Sequence, residues 1–164
     1  MKRIALIGLA MTLGFALQAH SARVWAQGDL NGVWEIVEVS GTNAQGDWTL
    51  DNVQPSLFIF QDGYYSIMYV KGNEARPQAA ANARRDNIPD AQMRGMFRNF
   101  VANSGTYEVN GSSVTTRPMV AMMPNFMTGG SDTFTYSVEG DELVLSGNEF
   151  DGQGTYTQKL RRLR

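Results

Sequence analysis

Residues 57–70 decide the fold class, and they read LFIFQDGYYSIMYV. Two apolar and aromatic runs, 57–60 and 64–70, flank the short polar segment QDG. Runs rich in β-branched and aromatic residues favour strands. A glycine such as Gly63 accepts the positive φ that a tight turn needs. The stretch therefore predicts an antiparallel hairpin.

The same rhythm of short apolar runs and Gly, Asn or Asp turns continues on both sides of this hairpin. Asn110-Gly111 is a strong hairpin turn, and residues 133–138 alternate with period two. We count about eight strands in meander order, at 33–39, 57–60, 64–70, 105–109, 113–120, 133–138, 142–146 and 154–162. The polar segment 42–52 is predicted to be a connection.

Closing about eight antiparallel strands into a barrel removes the exposed sheet edges. The predicted fold class is therefore all-β, an eight-stranded antiparallel up-and-down barrel, with an open sandwich as the alternative on pattern alone. One helical insertion is predicted between the third and fourth strands, after Pro89 and Asp90. Its apolar stripe has helical spacing and comprises Met93, Met96, Phe97, Phe100 and Val101. Residues 75–85 are a candidate for a shorter helix.

The first 26 residues resemble an export signal. Lys2 and Arg3 are followed by the apolar stretch 4–17 and by the small-x-small site Val24-Trp25-Ala26. We expect cleavage after Ala26, with a weaker site after Ala19, and a single domain at 27–164. The stretch is too short for a spanning helix. The predicted location is periplasmic or secreted.

Composition excludes several catalytic classes. The chain has no cysteine, and its one histidine, His20, lies in the predicted signal. Disulfides, Cys or His zinc sites, and Ser-His or Cys-His dyads are therefore excluded for residues 27–164. Loss of Lys2, Arg3 and Arg23 leaves 11 basic against 16 acidic side chains, a net charge of −5, which disfavours nucleic-acid binding. No metal or cofactor is expected.

Three ordered segments carry a family resemblance: 30–37 with Gly32-Val33-Trp34, then 61–66, then 104–109. Gly32-Val33-Trp34 is similar to the Gly-x-Trp signature of lipocalins, and the set resembles the bacterial lipocalin-like domain family. Pro124-Asn125 and residues 133–145 extend the match. The resemblance implies an eight-stranded barrel that Trp34 closes at one end, with Arg161 or Arg162 of the last strand packed on it through a cation–π contact. It also implies a central cavity, often for small apolar molecules, without naming a ligand.

Alternation along the first strand places Trp34, Ile36 and Glu38 on one face, so a Trp34 that points inward predicts a lumenal Glu38 unless a bulge or the barrel mouth exposes it. Arg117 is the second candidate polar contact. If both faced the lumen, they would pair with each other. The remaining candidate ligand contacts are aromatic or Met side chains: Tyr64, Tyr65, Met68, Tyr107, Met123, Phe126, Phe134 and Tyr136. The Met-rich loop 121–130 is either a lid packed on the rim or a ligand gate.

Three functions follow from these residues. The first is an exported carrier of a small, mainly apolar molecule. The second is a small barrel enzyme of the cyclase or isomerase type, with Glu38 as base and Tyr107 or Arg117 stabilising charge. The third is an envelope structural or interaction protein whose barrel is filled by its own side chains. The sequence predicts neither the ligand nor the oligomeric state.

Overall fold

Antiparallel strands account for most of the computed structural model, which describes residues 29–148 and 154–164. The predicted export signal lies outside these residues. The strands are β1 (Gly32–Asn43), β2 (Gly46–Leu50), β3 (Ser56–Gln61), β4 (Tyr64–Val70), β5 (Phe100–Asn110), β6 (Ser113–Ala121), β7 (Asp132–Glu139), β8 (Glu142–Asn148) and β9 (Thr155–Arg162). One α-helix, α1 (Asp90–Phe97), lies between β4 and β5.

The sheet closes into an antiparallel barrel. From β3 to β9 each strand pairs with the next one along the chain, and β1 pairs with both β3 and β9. Eight strands, β1 and β3 to β9, therefore form the closed barrel that the sequence predicts, and the open sandwich is excluded. β2 is a ninth strand outside this ring, and it pairs with the C-terminal half of β1.

The predicted place of the helix, between the third and fourth strands, is wrong. The polar segment 42–52 contains β2, so the helix follows the fourth strand. The helix is also shorter than its apolar stripe, because Asn99 adopts a positive φ of 62° and Phe100 starts β5. The segment 75–85 contains no α-helix, and a 3-10 turn, Arg85–Asn87, begins at its last residue.

Short and long connections sort to opposite ends of the barrel. β3–β4, β5–β6 and β7–β8 are joined by two-residue turns, and in the first of these Asp62 and Gly63 have φ values of 48° and 84°. Two successive positive φ values fit a type I′ turn, whose twist matches that of a hairpin. The long connections β2–β3, β4–β5 and β6–β7 lie at the other end. We call the two ends the closed end and the open end.

The interior near the closed end is packed with side chains. The largest fully buried residues come from five different strands, and they are Trp34, Phe58, Phe60, Leu143, Leu145, Leu160, Val114 and Thr116. The Tyr107 ring meets Phe60 edge to face, with 5.3 Å between the centroids. Any space for a ligand must therefore lie toward the open end.

Candidate functional site

The closed end is built on Trp34 and Arg162. The two residues lie opposite each other on β1 and β9, and the guanidinium carbon is 3.9 Å from the centroid of the indole. The indole Nε1 donates to the Leu30 carbonyl at 3.1 Å, and Arg162 Nη1 donates to the Asn31 carbonyl at 2.6 Å. Gly32 leaves room for this arrangement, because a Cβ there would collide with the guanidinium. Tryptophan and arginine together seal this end of the barrel.

The neighbouring arginine has a different environment. Arg161 points away from the interior and forms an ion pair with Glu35 on the outer surface. Its side chain is 66% exposed, against 24% for Arg162. Of the two arginines that the resemblance offered, Arg162 is the one packed on Trp34.

A cavity of about 270 Å³ lies at the open end, between β1, β2 and β9 on one side and β4 on the other. Most of its wall is aliphatic or aromatic. The lining residues are Ile36, Val39, Trp48, Leu50, Val53, Gln54, Tyr69, Val70, Lys71, Gly72, Tyr156 and Gln158.

A β-bulge in β1 shapes one wall of this cavity. The pairing with β9 shifts between Ile36 and Glu38, so Val37 has no partner of its own. The extra residue reverses the alternation beyond it. Val39 consequently faces the cavity, while Glu38 lies on the outer face and forms an ion pair of 2.7 Å with Lys159. The lumenal position predicted for Glu38 from alternation is therefore wrong, and the bulge is the reason.

The β1–β2 hairpin supplies the outer wall. Trp48 lies opposite Gly41 in the β1–β2 pairing, and its ring packs directly over that glycine. A Cβ on residue 41 would lie 2.7 Å from the ring. The absence of a side chain there lets the indole lie flat against β1 and line the cavity.

Three polar side chains interrupt the apolar lining. Gln158 is buried on β9, while Gln54 donates from Nε2 to the Asn73 carbonyl at 2.9 Å. Lys71 lies at the rim and is exposed. It forms no salt bridge within residues 29–148 and 154–164. A mainly apolar pocket with a few polar groups is the usual composition of a small-molecule site, in which the polar groups orient the ligand.

Comparison with known proteins shows the family of this chain. The model of a family described as a lipocalin-like domain matches residues 31–160, which span every strand from β1 to most of β9. The chain belongs to the lipocalin-like domain family. A solved structure of a protein from Bacteroides eggerthii is similar at 12% sequence identity, with a TM-score of 0.43, and the alignment covers 82% of this chain and 99% of that one. No curated protein matches the sequence.

None of the ten candidate ligand contacts lines the cavity of this lipocalin-like domain. Tyr65, Phe134 and Tyr136 are buried in the core, and Tyr107 packs against it. Three other side chains, Tyr64, Met68 and Arg117, are exposed on the outside of the barrel. Contact between any of these residues and a ligand stays a prediction.

The inward position considered for Arg117 is wrong. Its side chain lies on the outer face of β6 and pairs with Glu108 at 3.1 Å. The pair imagined between Glu38 and Arg117 does not form, since each has another partner. The proposed catalytic set is dispersed as well, because the Tyr107 hydroxyl donates to Asn31 at 3.0 Å near the closed end.

None of the residues of the Met-rich loop 121–130 lines the cavity. A 3-10 turn at Pro124–Met127 carries Phe126, which is half-buried against Gly130, whereas Met123 is exposed. The loop contributes nothing to the wall of this cavity, and its role as a lid or as a ligand gate stays a prediction.

Tyr65 is a buried polar residue that the sequence assigned to the lining. Its hydroxyl has no hydrogen-bond partner among the described residues. Burial raises the pKa of Tyr65 to about 12; the nearby Thr116 hydroxyl lowers that pKa and Asp132 raises it. The phenol therefore stays neutral over the ordinary pH range.

The lining residues that sequence reasoning missed carry a period-two signal. Trp48 and Leu50 alternate with polar residues in β2, and Tyr156, Gln158 and Leu160 share one face of β9. Both strands show the alternation, but β2 has only five residues and lies within the segment 42–52 that the sequence predicts to be a connection.

The described residues contain neither a metal-binding cluster nor a membrane-spanning helix. Residues 29–148 and 154–164 contain no group of three acidic side chains placed to hold a metal ion. No helix in the same part of the chain has the length and apolar character needed to cross a bilayer.

Proposed function

We propose that this lipocalin-like domain binds a small, mainly apolar molecule in the cavity at the open end. The observation that carries the proposal is the lining itself, in which aliphatic side chains and the rings of Trp48, Tyr69 and Tyr156 outnumber the polar groups. The volume of about 270 Å³ lies just below the usual range for ligand pockets, roughly 300–1,000 Å³. The ligand is accordingly small, of the size of one or two fused rings or a short chain.

The expected affinity follows from the area that such a ligand buries. If ligand and wall together bury about 300 Å² of apolar surface, the gain is about 7 kcal/mol. Association costs consume part of this gain, so a dissociation constant in the high micromolar to millimolar range is expected. Gln158, buried at the side of the cavity, is placed to orient a polar group of the ligand.

We also propose that the domain works outside the cytoplasm, in the periplasm or as a secreted protein. The support is the charged, apolar and small-x-small sequence of residues 1–26. Fractionation of cells that express the full chain tests this, with N-terminal sequencing of the product. An N-terminus at Gln27 in the exported fraction agrees with the proposal, whereas uncleaved protein in the cytoplasm contradicts it.

Binding of an apolar fluorescent probe, N-phenyl-1-naphthylamine, tests the cavity. Leu50→Trp adds volume on the wall, and we expect it to weaken probe binding at least tenfold. Val109→Trp is the matched control, because Val109 is an exposed side chain on β5 that does not line the cavity. We expect this variant to bind the probe within twofold of the wild type.

Each other outcome has a defined meaning. A wild-type protein that shows no saturable probe binding supports the filled-barrel alternative instead. Equal binding by wild type and Leu50→Trp means that the probe occupies another surface, and the proposal fails. A bound molecule that is recovered chemically changed after incubation supports the enzyme alternative.

A further inference from the structure

The charge of the domain is divided unequally between the barrel and one connection. Residues 71–99, which join β4 to β5 at the open end, carry six basic side chains against three acidic ones. The rest of 27–164 carries five basic against 13 acidic side chains. A segment of net charge +3 therefore projects from a body of net charge −8.

Part of this segment forms a basic depression, which we call the arginine basin. It is defined by Arg76, Arg94 and Arg98, with Pro77 and Gly95 between them, and its lining includes one acidic residue, Glu74, which leaves an excess of two positive charges. Within the described residues neither Arg94 nor Arg98 forms a salt bridge. Guanidinium groups bind phosphate oxygens through paired hydrogen bonds, so the basin suits a phosphate group.

Arg76 is held in place by its own contacts. Its Nη1 donates to the Met96 carbonyl at 3.1 Å, and its guanidinium carbon lies 5.2 Å from the centre of the Phe100 ring. This side chain joins the connection to the start of β5. The basin is consequently tied to the rim of the barrel.

An exposed apolar surface lies next to the basin on the same end. Its members are large apolar side chains that a soluble surface seldom presents together: Phe97, Met119, Val120, Met122, Met123 and Met127. Met119 is 70% exposed and Met123 is 61% exposed. We call this set the methionine rim.

The arginine basin and the methionine rim are neighbours. The Met122 amide donates to the Ala102 carbonyl at 2.8 Å. Ala102 lies two residues after Phe100, whose ring contacts the Arg76 guanidinium. Phe97 itself ends the helix that supplies Arg94. Because β5 and β6 pair, the connection that carries the basin and the loop that carries most of the rim lie side by side at the open end.

We propose that this surface docks on an anionic lipid bilayer. The arginine basin holds lipid phosphates, and the methionine rim enters the boundary between headgroups and acyl chains, the arrangement of interfacial protein segments. The acidic barrel is repelled by the same bilayer, so the open end turns toward the membrane. The cavity then opens at the bilayer, and a ligand passes between them without crossing water. That last step rests on the proposed function, whereas the docking does not.

Vesicle flotation tests the docking with the mature protein. Vesicles of phosphatidylcholine with one quarter phosphatidylglycerol are compared with vesicles of phosphatidylcholine alone. We expect binding to the anionic vesicles only, weakened by salt. Because each basic side chain near an anionic surface contributes about a fivefold change in affinity, Arg94→Gln with Arg98→Gln should weaken binding at least tenfold.

The matched control removes the same charge elsewhere. Arg117→Gln with Arg161→Gln changes two exposed arginines on the barrel wall and should leave vesicle binding within twofold. Met119→Ser with Met123→Ser should weaken binding, whereas Tyr64→Ser with Val109→Ser, two exposed apolar positions toward the closed end, should not. Equal losses in the test and control variants would overturn the proposal.

Further measurements distinguish binding to a lipid surface from binding to other anions. Inorganic phosphate or poly-glutamate that competes fully at matched ionic strength indicates a site for free anions or acidic proteins, and the proposal fails. Equal flotation with neutral vesicles also refutes it, as does no flotation with either. Leu50→Trp should still dock, so loss of probe binding and loss of docking remain distinguishable.

Discussion

Replacing Arg162 by alanine should be among the most damaging single changes on the surface of this domain. The substitution removes the cation–π contact with Trp34, worth about 1–2 kcal/mol when partly desolvated. It also removes a hydrogen bond from a charged donor to the Asn31 carbonyl, worth about 1.5–3 kcal/mol. Because the two contributions share one side chain and do not add fully, we expect the free energy of unfolding to fall by about 3 kcal/mol.

The neighbouring Arg161 provides the control. It is an arginine on the same strand, but its ion pair with Glu35 lies at the surface, where such pairs contribute about 0–1 kcal/mol. Arg161→Ala should therefore cost less than about 1 kcal/mol.

Urea unfolding followed by far-UV circular dichroism measures both variants. The slope of the free energy against urea should be unchanged, which indicates that stability and not compactness differs. A loss for Arg162→Ala that is no larger than the loss for Arg161→Ala would refute the account of the closed end. Gly32→Ala displaces the same guanidinium. The loss of unfolding free energy that it causes should therefore be smaller in the Arg162→Ala variant than in the wild type.

Three further substitutions test other parts of the fold. Tyr65→Phe removes a buried hydroxyl without a partner among the described residues, so stability should stay equal or rise by about 1 kcal/mol at pH 7. The folded phenol has a pKa of about 12 against 10.0 for the free group, so wild-type stability should fall by about 2 kcal/mol relative to the variant as the pH rises from 9 to 12. A constant difference across that range would contradict the burial. Gly41→Ala places a Cβ against both the Thr155 carbonyl and the Trp48 ring, and we expect about 1–3 kcal/mol of destabilisation with weaker probe binding. Unchanged probe affinity would mean that the packing over Gly41 does not shape the cavity. Glu38→Gln breaks only an outer ion pair with Lys159, so probe affinity should stay within a few-fold, and a tenfold loss would place the carboxylate at the ligand.

Much of the fold follows from local rules that the sequence displays. The hairpin at 57–70 and the turn at Asn110-Gly111 form where turn chemistry and apolar alternation coincide. Meander order then follows, because each tight turn places the next strand beside the last. Closure of the barrel is the one feature that does not follow from neighbouring residues. It is predicted because joining the first and last of an even number of antiparallel strands removes the exposed edges.

Local rules fail where a short strand or a boundary is decided by tertiary contacts. β2 has only five residues, and its stability depends on pairing with β1 and on the fit of Trp48 over Gly41, which no local pattern encodes. Phe100 and Val101 continue the helical spacing, yet they pair with Val70 and Tyr69 in the sheet. Spacing alone does not tell which partner an apolar side chain will choose.

The candidate site was predicted less well than the fold, for two geometric reasons. A bulge of one residue at Val37 reverses the facing of everything beyond it, and simple alternation cannot locate such a bulge. Glu38 therefore lies on the outer face of β1, and Val39 faces the cavity in its stead. The Tyr and Phe residues chosen as lining lie nearer the packed closed end, because alternation specifies the face of a strand and not the depth along the barrel.

Closure of the barrel by β1 and β9 also bears on how the chain folds. The guanidinium of Arg162 reaches a carbonyl 131 positions earlier in the chain. Contacts between such distant residues must overcome the entropy of closing a long loop, and proteins rich in them fold over milliseconds to seconds. Until the last strand arrives, the outer edge of β1 remains available to strands of other chains. Folding of this domain is therefore completed only after its final strand has emerged, and a shortened C-terminus should favour aggregation over a partly formed barrel.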